Sequence, residues 1–288
     1  PMRWLAKFDA SSVIRHIKDT HQPPATVFMG VPTMYGRLLQ DAGLTGAACE
    51  RMRLFVSGSA PLLPAAFDEF QAKTGHTILE RYGMSETGML CSNPCRSREG
   101  QRVSGSVGPA LPGVQVRIVD DTGAICAANT VGHVEVKGPN VFVGYLGMPD
   151  KTAEAFTDDG WFRTGDVGQI DDEAYVHLIG RAKDLIITGG FNVYPAEVES
   201  HIDKMAGVQE SAVVGVPHAD FGEGVIAVVV PQDGVSLDEV AMIAALKDTI
   251  AGFKVPKRII VTDELPRNAM GKVQKNLLRL SYQDACQG

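Results

Sequence analysis

The chain has 288 residues, room for one large domain or two modest ones. It is 44% hydrophobic and 21% charged, the balance of a globular chain with a real core, and its net charge of −7 argues against a general nucleic-acid-binding role. No run of about 18 or more apolar residues reads as a membrane span, and the opening PMRWLAKFDA lacks the apolar core of a signal peptide.

In chain order, GVPTMYGRLLQ (30–40) reads as a turn into a helix carrying Met34, Arg37 and Leu38. MRLFVSG (52–58) is an apolar strand ended by Gly58. PAAFDEFQAKTG has helical spacing in Ala66, Phe67 and Phe70 and a stop at Gly75. TILERYG (77–83) is a second strand. This alternation predicts an α/β unit, with ligands at the carboxyl ends of its strands. SGSAPL (57–62) and ERYGMSET (80–87) stand at such ends.

Between 91 and 180 the character changes. VQVRIVD (114–120), VGHVEVKG (131–138) and YVHLIG (175–180) are short strands between Gly and Pro turns, and a small β-barrel is expected. After Arg181 come a strand (DLIIT), a helix (PAEVESHIDKM), two strands (SAVVGVP and VIAVVVP), a helix (237–251) and a strand (RIIVT), a compact α+β pattern. The fold class is therefore α/β plus α+β, with domains over 1–181 and 182–288. Cys49, Cys91, Cys95, Cys126 and Cys286 are odd in number and scattered, which fits no disulfide framework. Cys91 and Cys95 have no second pair with which to hold a metal, and a reducing cytosol suits all five.

Five stretches carry the chemistry: SGSAPL, ERYGMSET, GWFRTGD (160–166), GRAKDLIITGGFNVYPAEVE (180–199) and PRNAMGKVQK (266–275). By itself, ERYGMSET is compatible with a polar turn, Asp166 with a turn cap, Arg181 with a surface ion pair, Gly189 and Gly190 with a plain turn, and Lys272 with a solvated surface lysine. In this order and spacing the five resemble the adenylate-forming superfamily of acyl-CoA synthetases, luciferases and peptide-synthetase adenylation domains. The resemblance runs over nearly the whole chain.

The resemblance implies an enzyme that couples a carboxylate to ATP, releases pyrophosphate and passes the acyl group to the thiol of coenzyme A. It implies that Tyr82 lies against the adenine, with the backbone of Gly58, Ser59, Ala60 and Pro61 on another side and Gly83 and Met84 in the same turn. Ser85 stands where the family usually has Thr; its hydroxyl would contact the α-phosphate. Glu86 would hold Mg²⁺ through hard oxygen ligands. Asp166 would accept the ribose hydroxyls, with Arg181 as a second contact. Lys272 would neutralise the carboxylate and α-phosphate in the adenylation transition state. Lys183 matches the hinge between a large domain and a small mobile C-terminal one, and Gly189 and Gly190 fit a pantetheine tunnel. Lys272 would also be a target for a lysine acetyltransferase, which would remove its charge.

Within the superfamily the chain is most similar to malonyl-CoA synthetases, in which the arginine of an MYxR pattern pairs with the free second carboxylate. Arg37 matches it and Ser59 would assist; a buried carboxylate needs a paired cation, and a guanidinium binds it bidentately. The family's Ser/Thr/Gly-rich phosphate loop has no counterpart in this sequence. The expectation is therefore the C-terminal portion of a synthetase, the end of its large domain plus the whole small one, which runs the ATP-dependent first step poorly alone. A short- or medium-chain acyl-CoA synthetase and a non-catalytic adenylate-binding fragment are the competing readings.

Overall fold

The structure, a computed structural model, describes residues 2–19, 23–268 and 271–286. It divides into two compact units, Pro1–Thr164 with Gly168–Leu178 and Gly165–Val167 with Ile179–Gly288.

The first unit begins with helix α1 (Ala10–Lys18), strand β1 (Val27–Gly30), helix α2 (Pro32–Gln40) and the short helix α3 (Gly46–Cys49). Strand β2 (Leu54–Ser57), helix α4 (Pro64–Thr74), strand β3 (Ile78–Met84) and strand β4 (Gly88–Ser92) follow. The order β1-β2-β3-β4 makes one sheet, its first three strands parallel and β4 antiparallel to β3. The expected strand–helix–strand of 52–83 is this β2–α4–β3 crossover. Its helix packs because Phe67 and Phe70 recur at helical spacing and are buried. Phe70 meets Tyr35 of α2 and Phe55 of β2 edge-on, with ring centroids 5.4 and 4.8 Å apart. The Tyr35 hydroxyl is satisfied inside this core by donating to the Val56 carbonyl at 2.8 Å.

Strands β5 (Gln115–Val119) and β6 (Gly132–Lys137), helix α5 (Pro149–Ala155), and strands β7 (Phe162–Ile170) and β8 (Val176–Arg181) follow in the chain. They form a sheet in the order β5-β6-β7-β8, not the small β-barrel that the sequence suggests. Four strands are too few to close around a packed interior, and the sheet instead buries Ile118, Val134, Val136, Phe162 and Val176 with Leu90 and Tyr82. β7 is the strand that the sequence hides: FRTGDVGQI carries two glycines and alternates poorly.

In the second unit, β9 (Ile186–Thr188) and β10 (Phe191–Val193) form a hairpin, followed by α6 (Pro195–Ile202), β11 (Val208–His218), β12 (Gly222–Pro231), α7 (Glu239–Lys247), β13 (Arg258–Val261) and α8 (Lys275–Ser281). The sheet runs β10-β9-β12-β11, with β13 parallel to β12. The unbroken apolar run of β12 has a simple cause: the strand is covered on both sides. Val225, Ala227 and Val229 pack in a cluster with Val198 and Ile202 of α6 and Leu246 of α7, while Ile226, Val228 and Val230 pack with Leu265 and with Leu278 of α8. Among the described residues no helix is long and apolar enough to cross a membrane.

Candidate active site

The first unit brings SGSAPL and ERYGMSET together because β2 and β3 are parallel neighbours with Ser57 opposite Glu80. Ser59, in the loop after β2, holds φ at +72°, a left-handed conformation that costs a side-chain-bearing residue about 1 kcal/mol or more. Ser59, Ala60 and Pro61 are exposed. Glu80, 4% exposed, accepts the Leu62 amide at 3.4 Å through one carboxyl oxygen. Its other oxygen and the hydroxyl of Ser57 are buried and have no partner among the described residues. Burial pushes the Glu80 carboxyl up to about 8, against the backbone hydrogen bonds from Leu62 and Gly105, so it is protonated at neutral pH. The sequence reading does not single out Glu80, although an acid at an inward position of an apolar strand is a usable signal.

Tyr82 is 8% exposed and packs in the cluster with Leu90, Cys91 and Val107. At Gly83 the pairing of β3 with β4 slips. A Cβ there would stand 2.2 Å from the Gly88 carbonyl oxygen, so only glycine fits. Met84 ends β3, and Ser85, Glu86 and Thr87 form the turn into β4, closed by the Thr87 amide donating to the Met84 carbonyl at 3.2 Å. Ser85 is exposed and Glu86 half-buried.

The turn is braced by residues 140–145, which carry no motif of their own in the sequence. The Tyr145 hydroxyl donates to Glu86 Oε1 at 3.3 Å, the Phe142 amide to the Glu86 carbonyl at 2.8 Å, and the Asn140 amide group to the Thr87 carbonyl at 2.7 Å. Burial, then the Glu86 charge and its hydrogen bond, push the Tyr145 phenol up. Among the described residues no three His, Cys, Asp or Glu cluster as a metal site. A single half-exposed carboxylate still fits Mg²⁺ arriving on a nucleotide, since that ion takes one or two protein carboxylates plus phosphate oxygens.

Arg37 is exposed on the last turn of α2, opposite the buried Tyr35, Leu38 and Leu39, and no hydrogen bond or ion pair engages its guanidinium among the described residues.

In the second unit Asp166, on β7, is buried, and Arg181, at the end of β8, donates to its Oδ1 through Nε at 2.9 Å. Lys183 is exposed in the single helical turn Ala182–Asp184, which Arg279 anchors by an ion pair to Asp184 at 2.9 Å. Gly189 and Gly190 make the two-residue turn of the β9–β10 hairpin with φ of +56° and +81°, a geometry that by itself calls for glycine. Beside them Phe191 stacks on Phe253 at 4.6 Å. Lys272 is exposed; its amide donates to Asn268 Oδ1 at 3.0 Å, and its ammonium meets no partner among the described residues.

The chain has clear relatives among known proteins. The AMP-binding enzyme family model matches residues 4–146, and that of the AMP-binding enzyme C-terminal domain matches residues 197–272. The crystal structure of ATP-bound MatB from Rhodopseudomonas palustris is similar at 56% identity and a TM-score of 0.91, over 98% of this chain and 55% of that one. A malonate–CoA ligase of Arabidopsis thaliana is 36% identical across 98% of this chain and 50% of its own length. The mitochondrial malonate–CoA ligase of Mus musculus is 39% identical across 96% of this chain and 52% of its own. The chain thus spans about half the length of the curated relatives it matches.

Proposed function

This chain belongs to the AMP-binding enzyme family, and on that premise we propose that it serves an AMP-forming acid–CoA ligase, with malonate as the acid. A carboxylate oxygen attacks the α-phosphorus of ATP, the bond to pyrophosphate breaks, and an acyl-adenylate forms. The thiolate of coenzyme A then attacks the acyl carbon and AMP leaves. Lys272 supplies the cation for the charge that develops at the α-phosphate in the first half. Ser85 donates its hydroxyl to the same phosphate. Asp166, oriented by Arg181, accepts the ribose hydroxyls. Tyr82 and the backbone of Gly58 to Pro61 form the surface for the adenine, and Gly189 and Gly190 admit the pantetheine arm, with Lys183 as the hinge. Glu86 would hold Mg²⁺, which neutralises phosphate charge when bound.

The observation that carries this reading is the match to ATP-bound MatB, at 56% identity over 98% of the chain. For the acid, the support is Arg37: a guanidinium left unengaged by the described residues suits a second carboxylate bidentately, with Ser59 assisting. Methylmalonate is a natural neighbour, because one methyl group is worth only about 1–3 kcal/mol of discrimination. Free thiols at all five cysteines suit a cytoplasmic location, and the exposed Lys272 suits modification by a lysine acetyltransferase.

The test is CoA thioester formation by the chain with ATP, Mg²⁺ and either malonate or octanoate. The expected result is malonyl-CoA, formed slowly as suits a chain without the family's phosphate loop, and falling about thirtyfold or more in Arg37→Met because a charge is left unpaired. Product from octanoate alone would overturn the choice of acid. No product from either, with ATP still bound in calorimetry, would overturn the ligase in favour of a nucleotide-binding role.

A further inference from the structure

The segment around Lys272 is held by charges that play no part in the reaction above. Two acids face it: Glu199 on helix α6 and Glu210 on strand β11. Lys275 donates from Nζ to Glu199 Oε1 at 2.6 Å, and the Arg267 guanidinium donates to the Glu210 carboxylate. All four side chains of these two pairs are between 17% and 27% exposed, so water and salt screen them less than a surface pair. Glu199 is itself fixed by the Val213 amide at 2.7 Å.

Near the two pinned residues the described backbone is hydrogen-bonded to itself. The Asn268 amide donates to the Lys272 carbonyl at 2.9 Å, the Gly271 amide to the Asn268 carbonyl at 2.9 Å, and the Gln274 amide to the Pro266 carbonyl at 2.7 Å. Arg267 also donates to the Gly271 carbonyl at 2.6 Å, linking its pin directly to the residue before Lys272. Lys272 thus extends from backbone held by hydrogen bonds at Asn268, Gly271 and Gln274, with one ion pair on each side.

We propose that Arg267 and Lys275, held by Glu210 and Glu199, are positioning residues that fix the backbone from which Lys272 reaches its anionic target. The proposal rests on the adenylation role given to Lys272 above. A lysine side chain already has many rotamers. If its backbone also wanders, little of the ensemble places the ammonium correctly, and small misplacements of a catalytic group are costly. Val273 packs on the cluster of Leu265 and Leu278, and the two ion pairs hold the segment on either side of Lys272.

The experiment compares the full chain with Arg267→Met, Lys275→Met and the charge-conserving Arg267→Lys. Two quantities are read: amide hydrogen exchange at Asn268, Gly271, Lys272 and Gln274, and the two half-reactions separately. In the Met variants, exchange at these amides is expected to rise about tenfold, with β11 and β12 unchanged. Acyl-adenylate formation is expected to fall about ten- to a hundredfold, while thioester formation from supplied acyl-adenylate is kept. Arg267→Lys is expected to recover most of the loss. Unchanged exchange, or an equal loss in both half-reactions, would overturn the proposal. Wild-type chain that forms no acyl-adenylate while its variants show the expected exchange would reject the reaction and keep the clamp. Wild-type turnover with unaltered exchange would reject the clamp and keep the reaction.

Discussion

Glu80 sets a pH dependence that can be worked out from its surroundings. In the unfolded chain its carboxyl titrates near 4.5, and in the fold it is pushed up to about 8. Between these values the folded state holds a proton that the unfolded state has lost. Stability from this residue is therefore fully present below about pH 4.5 and is lost as pH rises towards 8. Thermal melts from pH 5 to 9 should show this decline in the wild type and a flatter profile in Glu80→Gln, which stays neutral. Glu80→Gln should also melt higher than wild type at pH 8.5. Equal slopes in the two proteins would reject the protonated carboxyl. Gly83 makes a second case: Gly83→Ala drives a Cβ to 2.2 Å from a carbonyl oxygen and should cost about 2 kcal/mol or more, read from denaturant unfolding.

At the level of elements, the β9–β10 hairpin and the turn of residues 85–87 show opposite designs. The hairpin turn is made by backbone preference: both glycines lie at positive φ, so Gly190→Ala should destabilise it by about 1 kcal/mol. The check is hydrogen exchange at the β9 and β10 amides, which should quicken while α7 stays protected. The turn at 85–87 has little intrinsic preference and is held from outside, by Asn140, Phe142 and Tyr145. Tyr145→Phe removes the hydroxyl that donates to Glu86 Oε1 and should loosen Glu86 without unfolding the sheet. On the metal-holding role proposed for Glu86, the expected readout is weaker Mg²⁺-nucleotide binding, by about five- to tenfold, at an unchanged melting temperature.

For the whole molecule, the two units have separate cores. The second buries Ile186, Val198, Val213, Val225, Val229 and Leu246 on one side of its sheet and Val214, Ile226, Val228 and Leu278 on the other. A unit with two covered faces has the core a domain needs, so residues 179–288, produced alone, should still unfold cooperatively by circular dichroism. A gradual, non-cooperative melt would show that this unit depends on the rest of the chain.

Much of this protein is written locally. The β2–α4–β3 crossover, β11, β12 and β13 follow from apolar periodicity and from glycine and proline stops, which act over a few residues and need no distant partner. The five motifs, read in order, are enough to name the family. What stays hidden depends on neighbours far along the chain. Whether β5 to β8 close into a barrel is a matter of strand number and pairing, and β7 becomes a strand because β6 and β8 flank it. Glu80 is an acid in a strand until burial protonates it, and Arg267 and Lys275 are surface cations until Glu210 and Glu199 meet them. Residue type and spacing determine which elements form and which chemistry is on offer. Burial and long-range pairing decide the charge each group carries and where it is held, because desolvation and Coulomb attraction depend on surroundings that only the folded chain assembles.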